Sequence, residues 1–250
     1  MKKPILIAHR GASYESPENT LISFQRANYI GVDFIECDVQ ISKEGIPVIF
    51  HDATLTRICN KRRKISTMSL ESIRECDVGE WFHPRFQGEY LPTLEEALSL
   101  KVNCGFFIEI KPTSPPKDLA ESVIKVILKA PRKKIIIGSF SSEILEEVRK
   151  IAPQIPLVGI AETLIGLKKH QDLNLNHYAL NTMMINEKRM EQMHDDHCRV
   201  WGWTVDDTRQ AKRLIEMGVE GIVSNHPRRM RPIFYKNPFN TEQRSSKDGI

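Results

Sequence analysis

Short apolar runs of strand length recur along this chain, separated by longer amphipathic stretches, and this alternation is what most narrows the folds open to it. The strand candidates are Ile5–His9, Phe34–Ile41, Phe106–Lys111, Lys134–Phe140, Pro156–Ala161, Tyr178–Thr182, Val200–Val205 and Gly221–Asn225. They number about eight, enough to close a parallel barrel. Helix signals fall between them. Asn19-Thr20 caps a helix through Leu21, Phe24 and Ala27 that ends near Gly31, and Ser141-Ser142 caps one through Ile144, Leu145 and Val148. Thr93-Leu94-Glu95-Glu96 has the polar-then-acidic form of a helix start, and Asp207 to Met217 closes on Gly218. The expected fold is α/β, a TIM-type (β/α)8 barrel forming a single domain over residues 1–234. A chain of 250 residues with 40% hydrophobic content can build such a core.

Two stretches break the alternation. Residues 52–92, after the hairpin of the second strand, are longer than a plain βα connection and carry Lys61-Arg62-Arg63-Lys64 and Trp81-Phe82-His83-Pro84. They read as a small insert, a lid beside the active face. The tail over 235–250 is polar and aperiodic and is expected to be loose.

A net charge of +4, from 36 basic and 32 acidic residues, is too mild for a nucleic-acid protein but leaves room for a small anion. The five cysteines are odd in number and lack a CxxC pair, so neither a disulfide framework nor a zinc site is expected. The apolar run Ile5 to Ala8 is too short for a signal peptide, and no run approaches the roughly 20 residues of a membrane span. A cytoplasmic protein without stable membrane association is the expectation.

Three clusters can carry chemistry. His9-Arg10-Gly11 falls at the carboxyl end of the first strand, where barrel enzymes place reactive groups, and Arg10 offers a planar fork suited to phosphate oxygens. Taken alone, the triplet suits a structural ion pair equally well. Glu36 and Asp38 are two apart on a strand, so both carboxylates face one way and repel each other unless a cation or a basic side chain sits between them. Lys43-Glu44-Gly45 reads as a tight turn. With Glu44 and Gly45 as its central pair, the returning strand Ile46 to His51 would set His51 opposite Asp38. In Phe106-Phe107-Ile108-Glu109-Ile110-Lys111, two charges interrupt an apolar strand; Glu109 would be a third carboxylate and Lys111 a phosphate partner, or the two form an ion pair. Trp203 shares a face with Trp201 and either fills the barrel or walls a pocket, while His194-Asp195-Asp196-His197 suits a solvated helix end better than a metal site.

Together with Pro17-Glu18-Asn19-Thr20, Pro47-Val48-Ile49-Phe50-His51-Asp52, Ile108-Glu109-Ile110-Lys111 and Trp203-Thr204-Val205, these clusters resemble the glycerophosphodiester phosphodiesterase family, in order, from about residue 4 to 228. The resemblance implies a TIM-type barrel whose substrate is a small-molecule glycerophosphodiester. It implies His9 and His51 as the acid-base pair, and Glu36, Asp38 and Glu109 as holders of one divalent cation. It further implies Arg10 and Lys111 on the phosphate, Trp203 on the substrate wall, and Glu18 and Asn19 supporting the first loop. An all-oxygen ligand set favours Mg2+ or Ca2+. The chain departs from the family pattern at Asp206, where Asn is frequent, and at Ser224-Asn225, where Thr-Asp is usual.

The expected reaction yields sn-glycerol 3-phosphate and an alcohol, the alcohol half pointing toward residues 52–92 and being read loosely. Two other readings share these residues. One is a phospholipase on the same barrel, of lysophospholipase D or phosphoinositide phospholipase C type, although the sequence shows no apolar exposed loop to meet a lipid surface. The other is a non-catalytic module that binds glycerophosphodiesters.

Overall fold

The computed structural model describes residues 3–130 and 134–235. Its elements run β1 (Ile5–Ala8), α1 (Leu21–Ile30), β2 (Phe34–Ile41) and β3 (Pro47–Ile49), then the short helices α2 (Thr56–Cys59), α3 (Leu70–Arg74) and α4 (Leu94–Ser99). Strict alternation follows: β4 (Gly105–Ile110), α5 (Pro116–Lys129), β5 (Ile135–Ser139), α6 (Ser142–Ile151), β6 (Leu157–Ala161), α7 (Leu164–Gln171), β7 (His177–Asn181), α8 (Glu187–Asp195), β8 (Arg199–Trp203), α9 (Thr208–Glu216), β9 (Gly221–Ser224) and α10 (Pro227–Phe234). Every strand but β3 joins one parallel sheet that closes when β1 pairs with both β9 and β2. The result is a TIM barrel.

The helix starts follow from local chemistry. Thr20 accepts from the Ser23 amide and Ser23 bonds back to the Thr20 amide, a reciprocal cap; Thr93 and Glu96 repeat it at α4. Ser141 and Asp207 cap α6 and α9 in the same way with one side chain each.

Side chains alternate along each strand, and this alternation builds the site. Ile7, Phe107, Val158, Ile160, Ala179, Trp201 and Val223 fill the barrel interior. Two residues further along the same strands, on the same side and one layer nearer the carboxyl ends, come His9, Glu109, Glu162, Trp203 and Asn225. An apolar floor therefore carries a ring of functional groups. Trp201 belongs to the floor and Trp203 to the ring, which separates the two roles left open by their shared face.

The hairpin departs from its expected register. Val39 pairs with Ile49, Gln40 with Val48 and Ile41 with Pro47, so Asp38 lies opposite Phe50 and not His51. Lys43, Glu44 and Gly45 form a three-residue loop with Gly45 at φ 75°, a left-handed position that glycine fills without strain. One additional loop residue moves the pairing by one.

Residues 52–92 build a small apolar cluster of their own, in which Leu55, Ile65, Met68, Ile73, Val78 and Leu91 pack on Val48 and Phe50 of the hairpin. The tail's first residue, Tyr235, is tied down through its hydroxyl to the Asp33 carboxylate; residues 236–250 lie outside the described part. No helix among the described residues is long and apolar enough to cross a membrane.

Candidate active site

His9, Arg10, Glu36, His51, Glu109, Lys111 and Trp203, seven of the residues singled out above, line one cavity of about 410 Å³ at the carboxyl ends of the strands. Phe140, Ile160, Glu162, Thr204 and Val223 complete much of its wall. A larger open groove of about 560 Å³, lined by Tyr14, Arg26, Tyr29 and Phe82 among others, holds none of these groups.

Glu36, Asp38 and Glu109 bring carboxylate oxygens within 4.8 Å of one another, and all three are buried. Parallel pairing sets Asp38 beside Glu109, while the two-residue step along β2 adds Glu36. Two cations answer three anions. Arg10 Nε lies 3.3 Å from Asp38, and Lys111 Nζ lies 3.4 Å from Asp38 and 2.6 Å from Glu109. Burial and the neighbouring Asp38 and Glu109 charges push the Glu36 carboxyl well above its usual range. Burial and Asp38 likewise raise Glu109 to about 7. Burial acts against Asp38 too, yet Arg10, Lys111 and an amide bond from Asn19 pull it down. Glu36 receives the Arg10 amide on Oε2 at 2.7 Å, while its buried Oε1 has no hydrogen-bond partner among the described residues. A cluster one positive charge short, with an unused carboxylate oxygen in it, fits a hard divalent cation.

The two histidines have different partners. His9 Nδ1 lies 2.7 Å from Asn225 Oδ1, and Asn225 Nδ2 donates to Asp206 at 2.7 Å. Because a carboxylate only accepts, Asp206 fixes the Asn225 amide with its oxygen toward His9; the ring proton of neutral His9 therefore sits on Nδ1 and Nε2 is bare. Burial, then Arg10, lower His9 to about 4. His51 Nδ1 lies 2.6 Å from Asp52 Oδ1. Asp52 is held ionised, its burial outweighed by hydrogen bonds from Arg57 and His51.

Glu18 and Asn19 of the first loop both reach the charged cluster. Glu18 accepts from Arg10 at 2.9 Å, and Asn19 donates to Asp38 at 2.8 Å. Sequence reasoning missed Arg57 of α2. Its guanidinium reaches Asp52 at 2.8 Å and Glu18 at 2.7 Å, so one side chain of the insert braces the partners of both His51 and Arg10. None of residues 52–92 lines the cavity, whose outer wall comes from β5, β6 and β8. The insert, expected as a lid, contributes none of the cavity's lining and braces the site through Arg57. Leu164 and Ile165 at the start of α7 and Met183 just after β7 are exposed.

Gly11 makes the first loop possible. It sits at φ +80°, and a Cβ there would lie 2.3 Å from Ser23 Oγ and 2.8 Å from the Ser23 backbone. Gly11→Ala is expected to cost at least the ~1–2 kcal/mol of a left-handed L-residue, with the clash added. Denaturant unfolding measures this, and wild-type stability in the variant would show that the loop relaxes freely.

The glycerophosphoryl diester phosphodiesterase family model matches residues 9–229. A glycerophosphodiester phosphodiesterase of Caldanaerobacter subterraneus subsp. tengcongensis is 33% identical over 231 residues, which cover 90% of this chain and 95% of the relative. The namesake enzyme of Bacillus subtilis is 28% identical over 245 residues, 89% of this chain and 84% of its own. Among solved structures, a phosphodiesterase of Oleispira antarctica in complex with its product sn-glycerol-3-phosphate superposes with a TM-score of 0.87 at 26% identity, covering 92% of this chain and 96% of that one.

Proposed function

This chain belongs to the glycerophosphoryl diester phosphodiesterase family, and from that premise we propose that it splits glycerophosphodiesters into sn-glycerol 3-phosphate and an alcohol with a divalent cation and two histidines. What carries this reading is the convergence of Glu36, Glu109, two histidines and two basic side chains on one cavity, with the buried Asp38 carboxylate grouped with those of Glu36 and Glu109.

Glu36, Asp38 and Glu109 would hold Mg2+ or Ca2+, which when bound supplies positive charge against the phosphoryl oxygens. Arg10 and Lys111, already turned to that side, bind the phosphate. His9 accepts the proton of the attacking water at its bare Nε2, a role supported by the Asn225 contact on its Nδ1 and by Asp206 behind it. His51 has an ionised carboxylate behind its ring, the counter-charge a protonated imidazole requires, and it donates from Nε2 to the leaving alcohol oxygen. Trp203, whose indole nitrogen donates to the Ala179 carbonyl at 3.0 Å, presents a fixed wall to the substrate. Residues 1–234 act as one domain in this reading.

The test is hydrolysis of glycerophosphocholine, glycerophosphoethanolamine and glycerophosphoglycerol, with a phosphodiester lacking glycerol as the control. Glycerol phosphate should appear from all three, and the control should react more slowly by about tenfold or more, because it forgoes the glycerol contacts. Equal rates on the control would mean that the cavity does not read glycerol. A lysophospholipid belongs in the same panel, as the substrate of the lipid-acting alternative.

A further inference from the structure

The phosphate end of the cavity leaves one charged group without a task. Glu162 follows β6 directly, two residues beyond Ile160 of the barrel floor, and so projects to the same side one layer higher. It lines the cavity, is exposed there, and makes no hydrogen bond or ion pair among the described residues. The cations of the site are already engaged, Arg10 by Asp38 and Glu18, and Lys111 by Asp38 and Glu109, with Lys111 Nζ also 5.7 Å from the centroid of the Phe140 ring. An unpaired carboxylate in the wall of a pocket for an anionic phosphodiester repels that substrate unless the substrate carries a positive charge of its own at that end.

The walls on this side point to the form of that charge. Phe140 follows β5 and Trp203 ends β8; their rings stand at 90° with centroids 5.6 Å apart, two faces of an aromatic corner in the same cavity as Glu162. Aromatic faces attract an alkylammonium through the ring quadrupole, and a carboxylate beside them neutralises its charge. Neither partner demands N–H donors. A quaternary group is therefore accepted along with a primary one.

We propose that Glu162, with Phe140 and Trp203, forms a subsite for the cationic alcohol half of the substrate, which selects glycerophosphodiesters bearing an alkylammonium head group over those bearing a neutral polyol. The assignment rests on the phosphodiesterase reading for where the phosphate lies, but its ligand can be tested apart from turnover. Two measurements on the full chain decide it. In the first, choline is titrated into wild-type protein and Glu162→Gln, with binding followed by ligand-observed NMR. Wild type should bind choline at least about tenfold more tightly than the variant. Equal affinities, or no binding to either, overturn the proposal whatever the enzyme hydrolyses. In the second, the ratio of kcat/KM on glycerophosphocholine to that on glycerophosphoglycerol should fall about tenfold in Glu162→Gln. An unchanged ratio overturns the proposal also, and equal losses on both substrates would place Glu162 on the glycerol half instead. Absence of hydrolysis of any glycerophosphodiester by wild type, alongside Glu162-dependent choline binding, would refute the phosphodiesterase reading and leave the cation subsite standing.

Discussion

His9→Ala and His51→Ala are each expected to lower kcat by about a hundredfold or more while the barrel stays folded, the usual worth of a positioned acid or base. Neither ring is part of the packed core: both lie at the cavity wall and are partly exposed. Each is held by one hydrogen bond, to Asn225 or to Asp52, so its removal leaves one polar group that water can reach. The double variant should fall little below the worse single one, because proton removal and proton delivery serve the same bond exchange. Turnover measured beside thermal unfolding separates chemistry from folding. Near wild-type turnover in a folded single variant would remove that histidine from the mechanism. The two variants should also differ in kind: a substrate with a more acidic leaving alcohol needs less proton delivery and should recover rate in His51→Ala far more than in His9→Ala. Equal recovery would mean that the roles drawn from the Asp206–Asn225 and Asp52 contacts are reversed or shared.

The barrel was readable because each strand must bury both faces, which leaves short apolar runs that periodicity picks out. The carboxylate cluster was readable for a similar reason, since Glu36 and Asp38 interrupt such a run at a two-residue step and Glu109 interrupts the neighbouring one. What stayed hidden depended on contacts with no local signature. The hairpin register turned on the conformation of Gly45, which a tight-turn pattern does not specify. Asn225 is 216 residues from His9, and Arg57 is 39 from Glu18; nothing near either one announces its partner. The departures at Asp206 and Asn225 were visible as exchanged residue types, yet their meaning appears only in space. The Asn225 amide faces His9, and the Asp206 carboxylate holds that amide from behind. Arg57 was likewise lost within an insert whose basic and aromatic residues suggested a lid, because the apolar cluster that turns it toward the hairpin forms only on folding.

Removal of divalent cations is expected to abolish turnover, and addition of Mg2+ or Ca2+ to restore it. The reason is visible in the charges that the fold has buried together. Three carboxylates share a space of 4.8 Å with two basic side chains, and Glu36 and Glu109 are both pushed toward their neutral forms. A phosphodiester brings a further negative charge into the same cavity, which Arg10 and Lys111 cannot answer while they also serve Asp38 and Glu109. A divalent ion held by Glu36, Asp38 and Glu109 would answer both demands, pairing the acids and leaving Arg10 and Lys111 to the phosphate. Binding of the ion to the folded state alone should also raise the unfolding midpoint, stability growing with cation concentration c as RT ln(1 + c/Kd), whether or not substrate is present. Glu36→Gln should lose both effects, because it removes the carboxylate whose second oxygen is left unpaired. Full activity of chelated protein would refute the cation requirement. A midpoint indifferent to Mg2+ and Ca2+ would show that the three carboxylates are satisfied by Arg10 and Lys111 alone, and the missing positive charge would then have to arrive with the substrate.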